Sequence, residues 1–109
     1  MRNKEKERYL RDVQDVIYII GGRWKGAILA SLCDKPKRFN ELKRDVGNIT
    51  PRSLIKELKF LEMSRLVLKI ENEKENITIY SLTEHGYSLL PVINTIVEWA
   101  GKHRKMIIE

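Results

Sequence analysis

Asn48-Ile49-Thr50-Pro51-Arg52-Ser53-Leu54-Ile55-Lys56-Glu57-Leu58-Lys59-Phe60-Leu61 reads as a helix with two edges of opposite character. Thr50 carries the side-chain oxygen an N-cap needs. Pro51 falls at the first helical position, where its missing N–H costs nothing. Leu54, Leu58 and Leu61 recur at i, i+4 and i+7 and make one buried stripe. Arg52, Ser53, Lys56 and Lys59 lie mostly away from that stripe. A helix anchored by leucines and presenting Arg, Ser and Lys fits a DNA major groove, where those side chains meet base edges or phosphates. On this helix alone, a solvated charged face reads equally well.

The neighbouring segments decide between the two. Upstream, residues 38–46 make a short helix whose inward edge is Phe39, Leu42 and Val46, at i, i+3 and i+7. Gly47-Asn48 is a turn. Two short helices joined by a tight turn containing Gly, the second basic on its outside, form a helix-turn-helix over residues 38–63. Downstream, the period changes from helical to two. Leu66, Leu68 and Ile70 alternate with Val67, Lys69 and Glu71, and Ile77, Ile79 and Ser81 alternate with Thr78, Tyr80 and Leu82. The polar stretch of residues 72–76 joins these two strands. A hairpin directly after a reading helix is a wing, here residues 66–82.

The ends of the chain are helical and unusually apolar. Residues 1–8, nearly all charged or polar, are expected to fray. From Tyr9, a stripe of Val13, Val16, Ile17 and Ile20, with Leu10 beside it, predicts a helix that Gly21-Gly22 stops. Residues 23–32 predict a second helix with Trp24, Ala27, Ile28, Leu29 and Leu32 inward, ended by Cys33-Asp34-Lys35-Pro36. Thr83-Glu84-His85-Gly86 caps a last helical region, which Pro91 should kink or split. The apolar positions of the first and last helices are too many for one packing face each. A monomer would expose a large patch. A two-fold dimer through residues 9–20 and 84–105 would cover it, with Leu10, Val13, Ile17, Leu90, Ile93, Val97 and Met106 at the interface. The fold class is mainly α with a small β-hairpin wing (α+β), in one domain spanning residues 1–109.

Charge supports a polyanionic partner. Net charge is +6, and residues 35–65, around the reading helix, carry nine basic and four acidic side chains. A single cysteine excludes an internal disulfide framework and fits a reducing cytoplasm. The apolar runs are too short to span a membrane. His85 and His103 are isolated, so no metal or other cofactor is expected. No phosphate loop, catalytic triad or paired-carboxylate site is visible, and an enzyme is not expected. Cys33, at the end of an apolar helix, reads as a buried inert thiol, and Trp24 and Trp99 as packing residues.

Within a DNA-binding reading the side chains take distinct roles. Arg52, in the first turn of the reading helix, is the candidate for a base edge, with a phosphate contact or a salt bridge as the competing role. Ser53 and Lys56 come next, then Lys59, while Thr50 serves as the cap. Arg38, Asn40 and Lys43 would hold phosphates, and Lys74 is the one cation at the wing tip.

Four segments carry a resemblance to a known family. Residues 20–29, Ile-Gly-Gly-Arg-Trp-Lys-Gly-Ala-Ile-Leu, are similar to a signature of the HxlR family of winged helix-turn-helix regulators, relatives of the MarR type. Arg38-Phe39-Asn40-Glu41-Leu42, Ile49-Thr50-Pro51-Arg52-Ser53-Leu54 and Tyr80-Ser81-Leu82-Thr83-Glu84-His85-Gly86 resemble its further motifs, in the same order. The resemblance covers residues 11–103. It implies a homodimeric regulator of transcription on a pseudopalindrome in double-stranded DNA. Two features depart from the family. Arg11 stands where the family often carries a cysteine, which in several members senses electrophiles or oxidants, and the wing is acidic, with Glu71, Glu73 and Glu75. A winged helix that binds protein, or one that binds RNA, remains as an alternative. A small effector between dimer helices is also open.

Overall fold

The computed structural model describes residues 2–108. In chain order they form α1 (Asn3–Ile20), α2 (Lys25–Ser31), β1 (Lys37–Arg38), α3 (Phe39–Val46), α4 (Pro51–Met63), β2 (Val67–Asn72), β3 (Ile77–Leu82), α5 (Glu84–Ser88) and α6 (Leu90–Ile108). The core is leucine-rich and lies between α2, α3, α4 and the base of the sheet. Ile28, Leu29, Leu32, Leu42, Leu54, Leu58 and Leu61 are almost completely buried there. Ile49, in the turn between α3 and α4, is buried with them and anchors the turn from inside. Gly47 has φ +102°, a conformation that L side chains rarely adopt, so glycine is what lets the chain reverse there.

Several expectations need correction. α1 starts at Asn3, ahead of the expected start at Tyr9, so residues 3–8 are helical rather than frayed; Met1 lies outside the described residues. Lys4, Glu5, Lys6, Glu7 and Arg8 are good helix formers, and Glu5 suits the positive end of the helix dipole. The wing is not a bare hairpin. β1 pairs antiparallel with β3, Lys37 opposite Tyr80 and Arg38 opposite Ile79, giving the sheet order β1-β3-β2. A two-residue strand has no period to detect. At the entry to β2 the burial also breaks alternation: Leu66, just before the strand, and Val67 are both buried, whereas Leu68 and Ile70 are about half exposed.

Cys33 is exposed, not buried. α2 ends at Ser31, Leu32 is the last buried side chain, and Cys33 already stands in the turn where the helical stripe no longer applies. Trp24 does rest against the core, but Trp99 is exposed and stacks on His103 at 4.9 Å, one turn along α6.

Pro91 splits the last region. α5 ends at Ser88, and α6 starts at Leu90 with the proline in its first turn, where no donor is lost. Thr83 caps α5 by accepting from Gly86 N–H at 2.9 Å, and its hydroxyl donates to the Arg65 carbonyl at 2.7 Å. A Cβ at Gly86 would collide with the Leu66 carbonyl oxygen, so glycine lets α5 lie directly on the start of the wing.

Candidate nucleic-acid interface

The reading helix forms as its sequence dictates. Thr50 Oγ1 accepts from Ser53 N–H at 3.1 Å, and Pro51 is the first helical residue. Leu54, Leu58 and Leu61 are buried. Arg52, Lys56 and Lys59 are exposed at i, i+4 and i+7, one continuous cationic edge, with Ser53 half-buried beside it. The helix's central acid is turned away from that edge. Glu57 faces Lys25 of α2 at 3.2 Å, and the same ammonium sits 4.8 Å from the Phe60 ring centre. Tyr18 of α1 closes this side with an edge-on contact to Phe60 at 5.3 Å.

α3 contributes a second basic surface. Arg38 and Asn40 are exposed and line a polar cleft that α3 shares with the wing. Three side chains not singled out from sequence line it as well, Arg44 of α3 and Asn76 and Thr78 of the wing, together with Phe39 and the carboxylate of Glu41. The helical spacing of Asn40 and Arg44, i and i+4, signals the shared face of those two. Nothing in the sequence brings the wing to it. Lys43 is half-buried and lies outside that cleft.

Sequence reading missed the device that holds α3 in place. Lys37 is only 6% exposed, although it is a lysine. Its ammonium donates to Asp45 Oδ2 at 2.6 Å, pairs with Asp34 at 3.0 Å, and donates to the Ser31 carbonyl. Ser31 Oγ donates to the same Asp45 oxygen at 2.7 Å. The cluster ties the end of α2 to the strand before α3 and to the last turn of α3. Hydrogen bonding to Asp45, then to Asp34, raises the Lys37 pKa against the opposing effect of desolvation. The hydrogen bond from Lys37 in turn lowers both carboxylates. Lys37 therefore adds nothing to the charge offered outward, and the exposed positive surface is smaller than the sequence count suggests.

The wing tip offers little. Lys74 is exposed in the turn after β2, among Glu71, Glu73 and Glu75, and Lys69 is paired with Glu71 at 3.1 Å. The positive surface is thus concentrated on α4 and α3.

A buried leucine stripe backs the cationic edge, a glycine turn precedes it, and a sheet flanks it. A family model described as an HxlR-like helix-turn-helix matches residues 19–107 of this architecture. The chain belongs to the HxlR-like helix-turn-helix family. Among relatives, it is 45% identical over 84 residues to the HTH-type transcriptional regulator YkvN of Bacillus subtilis, covering 76% of this chain and 71% of YkvN. It is 36% identical over 111 residues to the HTH-type transcriptional regulator BH0655 of Halalkalibacterium halodurans, covering 95% and 98%. Its fold is similar to that of the redox regulator HypR in its reduced form, with TM-score 0.82, 34% identity, and 88% and 96% of the two chains covered. This HxlR-like chain is a DNA-binding transcriptional regulator with a winged helix-turn-helix fold. Among the described residues, no helix is long and apolar enough to cross a membrane.

The expected partner-facing residues divide. Leu10, Val13 and Ile17 of α1 and Val97 and Met106 of α6 are exposed. Leu90 is half-buried against the core. Ile93 is buried in the chain's own core, so it packs within the chain rather than facing a partner. Position i+3 from Leu90 and the short α5 direct it inward.

Proposed function

We propose that this regulator acts as a homodimer on a pseudopalindromic operator, with α4 in the major groove and Arg52 at a base edge. Lys56 and Lys59 meet phosphates along the groove. Arg38, Asn40 and Arg44 hold the backbone beside it, a more compact set than the expected one with Lys43. The observation that carries the DNA reading is the unbroken cationic edge of α4, from which Glu57 is withdrawn into a contact with Lys25.

The dimer reading rests on apolar surface without an owner. None of the 18 residues of α1 is buried, yet Tyr9, Leu10, Val13 and Ile17 line its exposed side. α6 adds Ile96, Val97 and Trp99, and buries only Ile93. Such a surface on a charged chain marks an association site. Two copies related by a two-fold axis would set their reading helices about 34 Å apart, one turn of DNA. Repression is the simpler outcome, because a dimer seated on an operator blocks access by occupancy alone.

The test is light scattering after size exclusion, followed by binding to fragments selected from the source genome. A particle of about 26 kDa, twice the 12.9 kDa chain, and recovery of inverted repeats are expected. A 13-kDa particle at micromolar concentration would remove the dimer. Fragments without any shared symmetric sequence would remove the operator.

A further inference from the structure

We propose that Ile55 is a specificity-determining residue of the reading helix, meeting the 5-methyl group of a thymine in the major groove, one or two base pairs from the base that Arg52 contacts. The inference rests on the DNA reading proposed above and adds the kind of base pair that α4 selects. Ile55 stands in the second turn of α4 and is 45% exposed. Its same-face neighbours are Arg52 at i−3 and Lys59 at i+4, two members of the cationic edge. Isolated exposed isoleucines are common on protein surfaces. This one is distinguished by its surroundings.

Ile55 shares the cleft between α4 and the wing with Phe39, Leu58 and Tyr80, which give it an apolar wall on one side. Branching at Cβ restricts χ1 in a helix to essentially one rotamer, so the exposed methyl groups have a fixed place. The side chain is not part of the apolar surface of α1 and α6. α1 meets α4 through Tyr18 and Phe60. Phe60 lies five residues on, about 140° around the helix from Ile55.

The major groove offers such a side chain one match. Ile55 has no donor or acceptor, and a polar group on a base edge would lose water against it without gaining a hydrogen bond. The C5-methyl of thymine is the apolar group in that groove. Covering one methyl is worth roughly fourfold in affinity per half-site. Cytosine in the same place lacks the methyl and sets its N4 amino donor there, which widens the discrimination. Three residues of helix advance about 4.5 Å, and adjacent base pairs about 3.4 Å. That spacing puts the thymine within two pairs of the base at Arg52.

The experiment uses the whole chain and the operator duplex recovered by the genomic selection. Each thymine of one half-site is replaced in turn by deoxyuridine, which lacks only the 5-methyl group, and Kd is measured for each duplex. A position is expected at which wild type weakens about fourfold. Ile55→Ala should bind thymine and deoxyuridine at that position alike, with the wild-type circular dichroism, since the side chain is half exposed. Ile55→Val stays apolar and β-branched and should keep most of the wild-type response. Cytosine there should weaken wild type more than deoxyuridine does, and 5-methylcytosine should restore part of that loss. If wild type responds to no thymine methyl, or if Ile55→Ala still loses about fourfold at the same position, the assignment is overturned. Arg52→Ala separates this outcome from failure of the DNA reading. If it erases the preference for operator over random duplex, a negative result at Ile55 leaves the DNA reading standing. A wild-type chain that binds operator and random duplex alike would remove both.

Discussion

Arg52 and Arg44 are both exposed arginines, but they stand on different helices and should fail differently. Arg52→Ala is expected to weaken operator binding by about 1–3 kcal/mol and binding to random duplex much less, the signature of a lost base contact. Arg44→Ala, in the cleft shared with the wing, should weaken both duplexes alike, as a phosphate contact does. Gel shifts on the two duplexes measure this, and equal losses from both variants on both DNAs would refute the division. Lys37 acts on folding instead. Asp34 and Asp45 titrate below their ordinary range, so their contribution is present above the unfolded carboxylate pKa and is lost as pH falls through the lower folded one. Lys37 titrates above its ordinary value, so its contribution is present below the unfolded lysine pKa and is lost as pH rises through the folded one. Asp45→Asn should therefore flatten the acid limb of the stability profile, below about pH 4, and leave the neutral region's shape unchanged. Thermal melts across pH check this, and an unaltered acid limb would mean that the cluster contributes nothing.

Helices and strands carry their own predictions. α4 depends on its cap, and Thr50→Ala should cost about 1 kcal/mol of stability, read from the urea midpoint. α5 depends on contact with the wing, and Gly86→Ala should cost about 2–3 kcal/mol, because the Leu66 carbonyl and α5 cannot both keep their places. The wing depends on its base rather than its tip. Lys74 stands among three acids, so Lys74→Ala should change DNA affinity by less than about twofold, whereas Lys56→Ala on α4 should change it several times more. A larger loss from Lys74 would place the wing tip against the backbone.

Affinity and assembly belong to the whole molecule. If the proposed dimer neutralises about eight phosphates, log K should fall with log salt at a slope near −7. Association and DNA binding are linked in this reading. Val13→Asp puts a charge on the exposed apolar side of α1, where the chain's own core makes no demand on it. It should yield a particle of about 13 kDa that stays folded but loses operator affinity, because one reading helix then binds without its twin. A folded variant that remains dimeric would move the interface off α1.

Local pattern settled much of this protein. The leucine stripe and Thr50 cap of α4, the glycine turn before it, the split at Pro91 and the cationic edge all depend on residues a few positions apart, whose spacing fixes their face. Other features needed distant segments to meet. β1 exists because Lys37 and Arg38 find Tyr80 and Ile79. Lys37 is buried because Ser31 and Asp45 converge on it, and Ile93 turns inward because α5 sets α6 over the core. The cleft holding Arg38, Asn40 and Arg44 is closed by Asn76 and Thr78 from the wing. Spacing along one helix or strand is a local property, whereas burial and ion pairing depend on which surfaces the folded chain brings together.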